Sequence, residues 1–201
     1  IMFEEFCPED NPRPKGIIGL PLALTTYEFF PFYTKLITEL GYNFVISEYK
    51  RDDLVQTLAP VCYPVEIVHS TVFDLSDKGV DYILVPDLIE NQISEGYMHS
   101  FTCPTTATVS GLIKSSFTEI SDKILSPQFS FAQGFEKVNI ANVINLGKKL
   151  KVSKKKSEKA YFAAYSYYNQ YKGELQKRCN DSIKDFDDRI VDTEYSKYEY
   201  E

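Results

Sequence analysis

Short apolar runs closed by Pro or Gly alternate with longer stretches whose apolar residues recur every three or four positions, and this alternation leaves few folds open. Gly16-Ile17-Ile18-Gly19-Leu20-Pro21 is one such run and reads as a buried strand. From Tyr27 to Leu40 the residues Phe30, Tyr33, Ile37 and Leu40 keep a helical spacing. Pro31 lies near the start of that helix, where a missing N–H costs least, and Gly41 stands where a left-handed residue closes it. Asn43 to Glu48 reads as a second strand. Val65, Val68, Val72 and Leu75 form a second helical stripe, closed by Lys78-Gly79, and Asp81 to Pro86 reads as a third strand. A third helix is expected from Pro104 to Phe117 and a fourth from Phe135 to Leu150, with Lys123 to Pro127 an edge strand or a loop. Strands alternating with helices of about ten to fifteen residues build βαβ units, and such units give a parallel sheet covered on both faces. The expected fold is therefore α/β: a Rossmann-like, doubly wound, mainly parallel sheet with a long C-terminal helical tail.

The ends differ from this body. Residues 1–15 include three prolines in Cys7-Pro8 to Lys15 and show no periodicity, so they read as an extended lead-in. The α/β body occupies 16–150. In 151–201 the composition shifts: seven lysines fall between Lys148 and Lys159, and Tyr171, Leu175, Cys179, Ile183, Phe186 and Ile190 keep the spacing of an amphipathic helix. That stripe predicts a core position for Cys179. The Tyr-rich segment reads as packing surface, and the last seventeen residues, with seven acids, as a frayed tip. The first residue is Ile, so the chain is expected to be a piece of a longer protein, with the tail leading to or packing on its further domains.

The 201 residues are 43% hydrophobic and 14% aromatic, enough to fill a core. A net charge of −7 lacks the basic footprint that nucleic acid requires. No apolar run has the length of a membrane span, and no signal peptide is legible, so the expected location is cytoplasmic. Four scattered cysteines in such a chain read as reduced thiols and not as a disulfide framework.

Cys62 and Cys103 carry the chemical interest. Cys62-Tyr63-Pro64 and Cys103-Pro104 both look like helix starts, because Pro is favoured in the first turn. This places Cys103 at or beside an N-cap and Cys62 one residue earlier. Unpaired N–H groups and the positive end of the helix dipole favour a thiolate there, and the thiolate is the form that binds metal or attacks. In a parallel α/β sheet such helix starts follow the carboxyl ends of strands, where ligands bind. A second reading stands beside this one, since free Cys often packs as a small buried hydrophobe. Cys7, in the lead-in, is either a stray thiol or a distant third ligand. His69, two turns into the helix after Cys62, is either a satisfied half-buried side chain or a polar contact in the same crevice. His99 has no patterned acid or nucleophile beside it, and Gly16-Ile17-Ile18-Gly19 is neither a dinucleotide fingerprint nor a P-loop.

Several segments together resemble a family. Gly19-Leu20-Pro21-Leu22-Ala23-Leu24, Tyr27-Glu28-Phe29-Phe30-Pro31-Phe32, Leu40-Gly41, Cys62-Tyr63-Pro64 with His69, and Asp74-Leu75 before Lys78-Gly79-Val80-Asp81-Tyr82-Ile83 occur in that order. Val85-Pro86, Cys103-Pro104 and Ser126-Pro127 follow. The series resembles the domain attached to acyl-CoA dehydratase activases, the 2-hydroxyglutaryl-CoA dehydratase activator-related proteins, over most of residues 16–170. The chain departs from that pattern at Leu22, where the family usually has Arg, and at Glu66, Ser70 and Thr71, where it has Lys, Gly and His. The resemblance implies low-potential electron transfer in anaerobic metabolism, with Cys62 and Cys103 as ligands of a [4Fe–4S] cluster and His69 beside it. It implies as partners the remaining domains of a larger activator-related protein and a dehydratase or reductase. Two other readings stay open: a non-catalytic docking domain of the same protein, or a module that binds an acyl-CoA or similar anion at helix N-termini.

Overall fold

The computed structural model describes residues 2–48, 61–93 and 96–192, with side chains as far as Phe186. Four short strands, β1 (Ile17–Leu20), β2 (Asn43–Ile46), β3 (Tyr82–Leu84) and β5 (Ile124–Leu125), form a parallel sheet in the order β2-β1-β3-β5. Helix α1 (Thr26–Leu40) links β1 to β2, and α2 (Tyr63–Asp77) precedes β3. The strands alternate strictly between two apolar layers. Ile18, Leu20, Leu84 and Leu125 face a cluster with α1, α5 (Glu136–Lys149) and α6 (Lys154–Asp192). Ile83, Ile124 and Val45 face a second cluster with α2 and α4 (Val109–Ser116). Side chains of a strand point to opposite faces, so helices on both sides bury the central strands, while Ile17 and the edge strand β2 stay partly open. Gly19 shows how tightly this closes: a Cβ there would lie 2.9 Å from a Leu75 methyl.

The prolines act differently from the reading of them as strand ends. Pro86 and Pro127 interrupt β3 and β5, since neither has an N–H to give to the ladder. Pairing then resumes in unchanged register as β4 (Asp87–Glu90) and β6 (Gln128–Ser130), a second parallel pair that the sequence reading missed. Val85 N–H donates to the Leu125 carbonyl at 2.8 Å before the break, and Asp87 N–H to the Pro127 carbonyl at 3.0 Å after it. The helix expected over Pro104–Phe117 is also broken. It comprises α3 (Pro104–Ala107) and α4, separated at Thr108, whose φ of −133° is not helical. Asp87 explains the restart: its carboxylate accepts from the Ser110 N–H at 2.9 Å and the Ser110 hydroxyl at 2.7 Å, capping α4 from outside the helix. Burial pushes the Asp87 carboxyl above the usual carboxylate range, against the pull of Ser110 and Lys114. Residues 118–123 then form a 3-10 turn into β5.

The larger cluster is aromatic. Phe29 stacks on Phe131 at 4.5 Å and on Tyr168 at 4.9 Å, and Phe32 meets Phe129, Phe131 and Tyr161 edge-on. These rings tie α1 to α6 through the end of β6. The packing role read for the tyrosines of the tail is what Tyr161, Tyr168 and Tyr171 perform. The lead-in is docked as well: Phe6 meets Tyr167 and Tyr171, Asn11 bonds to Thr38, Tyr42 and Asn43, and Glu5 pairs bidentately with Arg178. Farther along α6 the stripe leaves the body, so Cys179 is exposed and not in the core. Leu175, Ile183 and Phe186 are 37%, 59% and 63% exposed, because nothing described packs beside that end of the helix. The side chain of Ile190 and the acid-rich end beyond residue 192 lie outside the described residues. No described helix is long and apolar enough to cross a membrane.

Gly147 is a close approach of α5 to α6: a Cβ there would clash with the hydroxyl of Ser157, a wholly buried residue. Gly147→Ala is expected to destabilise the fold by about 1–3 kcal/mol, measured by urea unfolding; an unchanged midpoint would contradict this packing. Burial also raises the phenols of Tyr33, Tyr161 and Tyr168 above their ordinary value. Folded values above unfolded ones mean that the stabilisation is complete below pH of about 10 and is lost as pH climbs through the raised values. Alkaline titration should therefore show a late group of tyrosines ionising together with the loss of helical ellipticity. Ionisation of all tyrosines at the ordinary value with helix content intact would contradict it.

Candidate functional site: two cysteines at helix starts

Tyr63 opens α2 with Pro64 behind it, so Cys62 is itself the N-cap, one position later than the spacing suggested. Its carbonyl accepts from the Val65 and Glu66 N–H groups at 2.9 and 3.2 Å, which starts the helix, and its side chain is exposed. Cys103 is the N-cap of α3, and the chain before it is pinned to β4. Phe101 pairs antiparallel with Glu90, Thr102 N–H donates to the Ile89 carbonyl at 3.1 Å, and the Thr102 hydroxyl donates to the Leu88 carbonyl. The missed strand β4 therefore holds Cys103 in place. Its thiol is also exposed.

The sulfur of Cys103 lies 3.0 Å from the Thr105 hydroxyl. That hydroxyl, and then the backbone N–H groups of Thr105 and Thr106, hold the Cys103 thiol below the ordinary cysteine value, although neither amide closes a full cap. Cys7 goes the other way, because burial pushes its thiol up. His69 is buried between the two helices, with Nδ1 at 2.9 Å from the Val65 carbonyl and Nε2 at 3.1 Å from the Ser116 hydroxyl. A carbonyl can only accept, so Nδ1 carries a proton. The ring thus clasps α2 to α4 with both nitrogens engaged. His99 sits apart, its Nδ1 at 3.2 Å from Glu90 and its ring stacked on Phe101.

Helices α2 and α4 border one recess. Val68 of α2 and Val109 of α4 line it together with Leu84, Pro86 and the Ala23–Thr26 loop. It lies beyond the carboxyl ends of β1 and β3, the neighbouring strands from which the chain departs in opposite directions, and this is where α/β sheets bind ligands. Leu24 in that loop is left-handed, with φ of 47°, a conformation that side-chain-bearing residues adopt at a cost. The recess itself is small and mostly apolar, and neither Cys62 nor Cys103 lines it. Among the described residues no three His, Cys, Asp or Glu side chains gather as a metal site. Asp87, Ser110, Lys114 and Ser126 form a further polar group behind α4, with the Lys114 ammonium donating to Ser126. The sequence signal for it was the acid that follows Val85-Pro86 within an otherwise apolar segment.

At neutral pH, iodoacetamide is expected to label Cys103 well ahead of Cys7, as followed by peptide mass spectrometry. Thr105→Val should slow Cys103 labelling and move its pH midpoint upward. Equal labelling of Cys103 and Cys7, or no effect of the Thr105 change, would contradict the stated cause of the shift.

The profile of the CoA enzyme activase uncharacterised domain matches residues 17–195. No curated protein and no solved structure matches the sequence. The matched span begins at the first residue of β1 and includes every element just described, together with both Cys-Pro helix starts. The chain belongs to the family of the CoA enzyme activase uncharacterised domain.

Proposed function

We propose that this domain serves an activase-family protein by presenting Cys62 and Cys103 as two thiolate ligands to a [4Fe–4S] cluster in low-potential electron transfer. The observation that supports the reading is the exposure of both sulfurs at the N-caps of two helices, α2 and α3. A cluster takes about four protein ligands. Two exposed thiols fit half of that set, so the remainder comes from a further part of the protein or from a dehydratase or reductase partner. When bound, such a cluster accepts and releases one electron at a time. The chain's own contribution is to orient the sulfurs on rigid helix starts, to favour the Cys103 thiolate through Thr105, and to fix α2 against α4 through His69. On this reading His69 positions the site and is not itself a ligand.

Anaerobic purification with its natural partner chain, followed by iron and sulfide analysis, tests the reading. Iron and sulfide that fall to background in both Cys62→Ser and Cys103→Ser are expected. A protein that retains iron and sulfide in either variant would overturn it.

A second reading has its own observation. Leu175, Ile183 and Phe186 continue the apolar stripe of α6 into solvent, as expected of a docking helix. On that reading the domain is non-catalytic and α6 seats the rest of the activase-family protein. Ile183→Glu combined with Phe186→Glu should then abolish co-purification with the partner while leaving the cluster-site cysteines equally reactive.

A further inference from the structure

The amino edge of the sheet carries a feature that neither the cysteines nor the docking helix uses. Tyr42, Asp81 and Lys123 are the residues just before β2, β3 and β5, Lys15 stands two residues before β1, and with Lys149 and Lys151 they line a cavity of about 690 Å³. From sequence the lysine run after α5 reads as a solvated helix entry, with attraction of phosphate as the other reading; the fold brings part of it into a concavity with lysines from two other segments. Asp81 is already engaged, accepting from the Ile17 N–H at 2.8 Å. Lys15 donates to the Lys151 carbonyl at 3.1 Å, while Lys123, Lys149 and Lys151 have no anionic partner among the described residues. Tyr42 and Tyr82 meet edge-to-face at 6.3 Å along the wall. Four lysines against two carboxylates, Asp81 and Asp122, leave the lining of this concave site net positive in a chain of net charge −7, which favours an entering anion.

Backbone geometry supplies an independent observation. Lys151 closes α5 in the left-handed conformation, with φ of 52°. Val152 N–H returns to the Gly147 carbonyl at 2.8 Å and Lys151 N–H to Lys148 at 3.2 Å, the bonding of a helix end that ordinarily employs glycine. Glycine takes four other left-handed positions among the described residues, Gly41, Gly79, Gly96 and Gly134, and Leu24 is the other exception. A lysine held in a strained conformation on a cavity wall points to a use for its charge and not to the turn.

We propose that this cavity binds a small phosphate-bearing anion, with Lys123, Lys149 and Lys151 as its cationic ligands and the Tyr42–Tyr82 pair beside them for an attached ring. The site lies at the opposite edge of the sheet from Cys62 and Cys103 and does not depend on their role.

The test is calorimetric titration of the full chain with pyrophosphate and, separately, with phenyl phosphate, at low and at physiological salt. Pyrophosphate binding that weakens with salt is expected. Equal affinity for the two probes assigns recognition to the phosphates alone, and tighter phenyl phosphate adds the tyrosines. Lys151→Gly relieves the strained turn, so its melting temperature should equal or exceed that of the parent, while pyrophosphate affinity falls roughly tenfold, as loss of one charged hydrogen bond implies. Lys149→Gln provides a second variant without any backbone change and should weaken binding similarly. No heat with pyrophosphate at low salt, or parental affinity in both variants, would overturn the proposal.

Discussion

A strand buried on both faces has only its two ends to offer to solvent, and the chemistry of this protein is arranged accordingly. Helices α1, α5 and α6 cover one face of the parallel sheet and α2 and α4 the other, so the middles of the central strands are closed to solvent. What remains are the edges. At the carboxyl edge the chain enters helices, and Cys62 and Cys103 stand at two of those starts. At the amino edge it enters strands, and the lysine-lined cavity lies there. The aromatic packing of Phe29, Phe32, Phe131, Tyr161 and Tyr168 fixes α1 and α6 on one face of the sheet.

Much of this layering was legible from residue spacing. The stripe Phe30, Tyr33, Ile37, Leu40 and the glycine after it gave α1 and its end, and Val65 to Leu75 gave α2, because a helix between a sheet and solvent needs a one-sided apolar face. The second strand pair was not legible. Proline is a sound sign that a ladder stops, but nothing in Pro86 or Pro127 says that two chains broken at the same level will resume pairing beyond the gap. The break at Thr108 was hidden for a similar reason: its cause is Asp87, twenty-odd residues upstream and adjacent only once β4 exists. Cys179 shows the converse limit. Its spacing on the stripe of α6 is regular, yet periodicity says nothing about whether another element reaches that far along the helix.

For the site, the sequence marked the right positions but not their surroundings. The prolines after Cys62 and Cys103 located both helix starts to within a residue. That the thiol of Cys103 is favoured as thiolate chiefly by the Thr105 hydroxyl, ahead of the backbone amides, came only from the geometry. The short length of α3 explains this, since one turn has little dipole to offer and a local hydroxyl outweighs it. Sequence offers His69 two roles, and the contact with Ser116 across α2 and α4 gives it a clasping one.

The central claim is that Cys62 and Cys103 reach one site. In a chain with Cys7 and Cys179 changed to Ser, nitroxide spin labels on the two remaining thiols measure their proximity directly. The account predicts dipolar broadening of the continuous-wave spectrum, lost when either cysteine is also replaced. A spectrum equal to the sum of the two singly labelled proteins would contradict it.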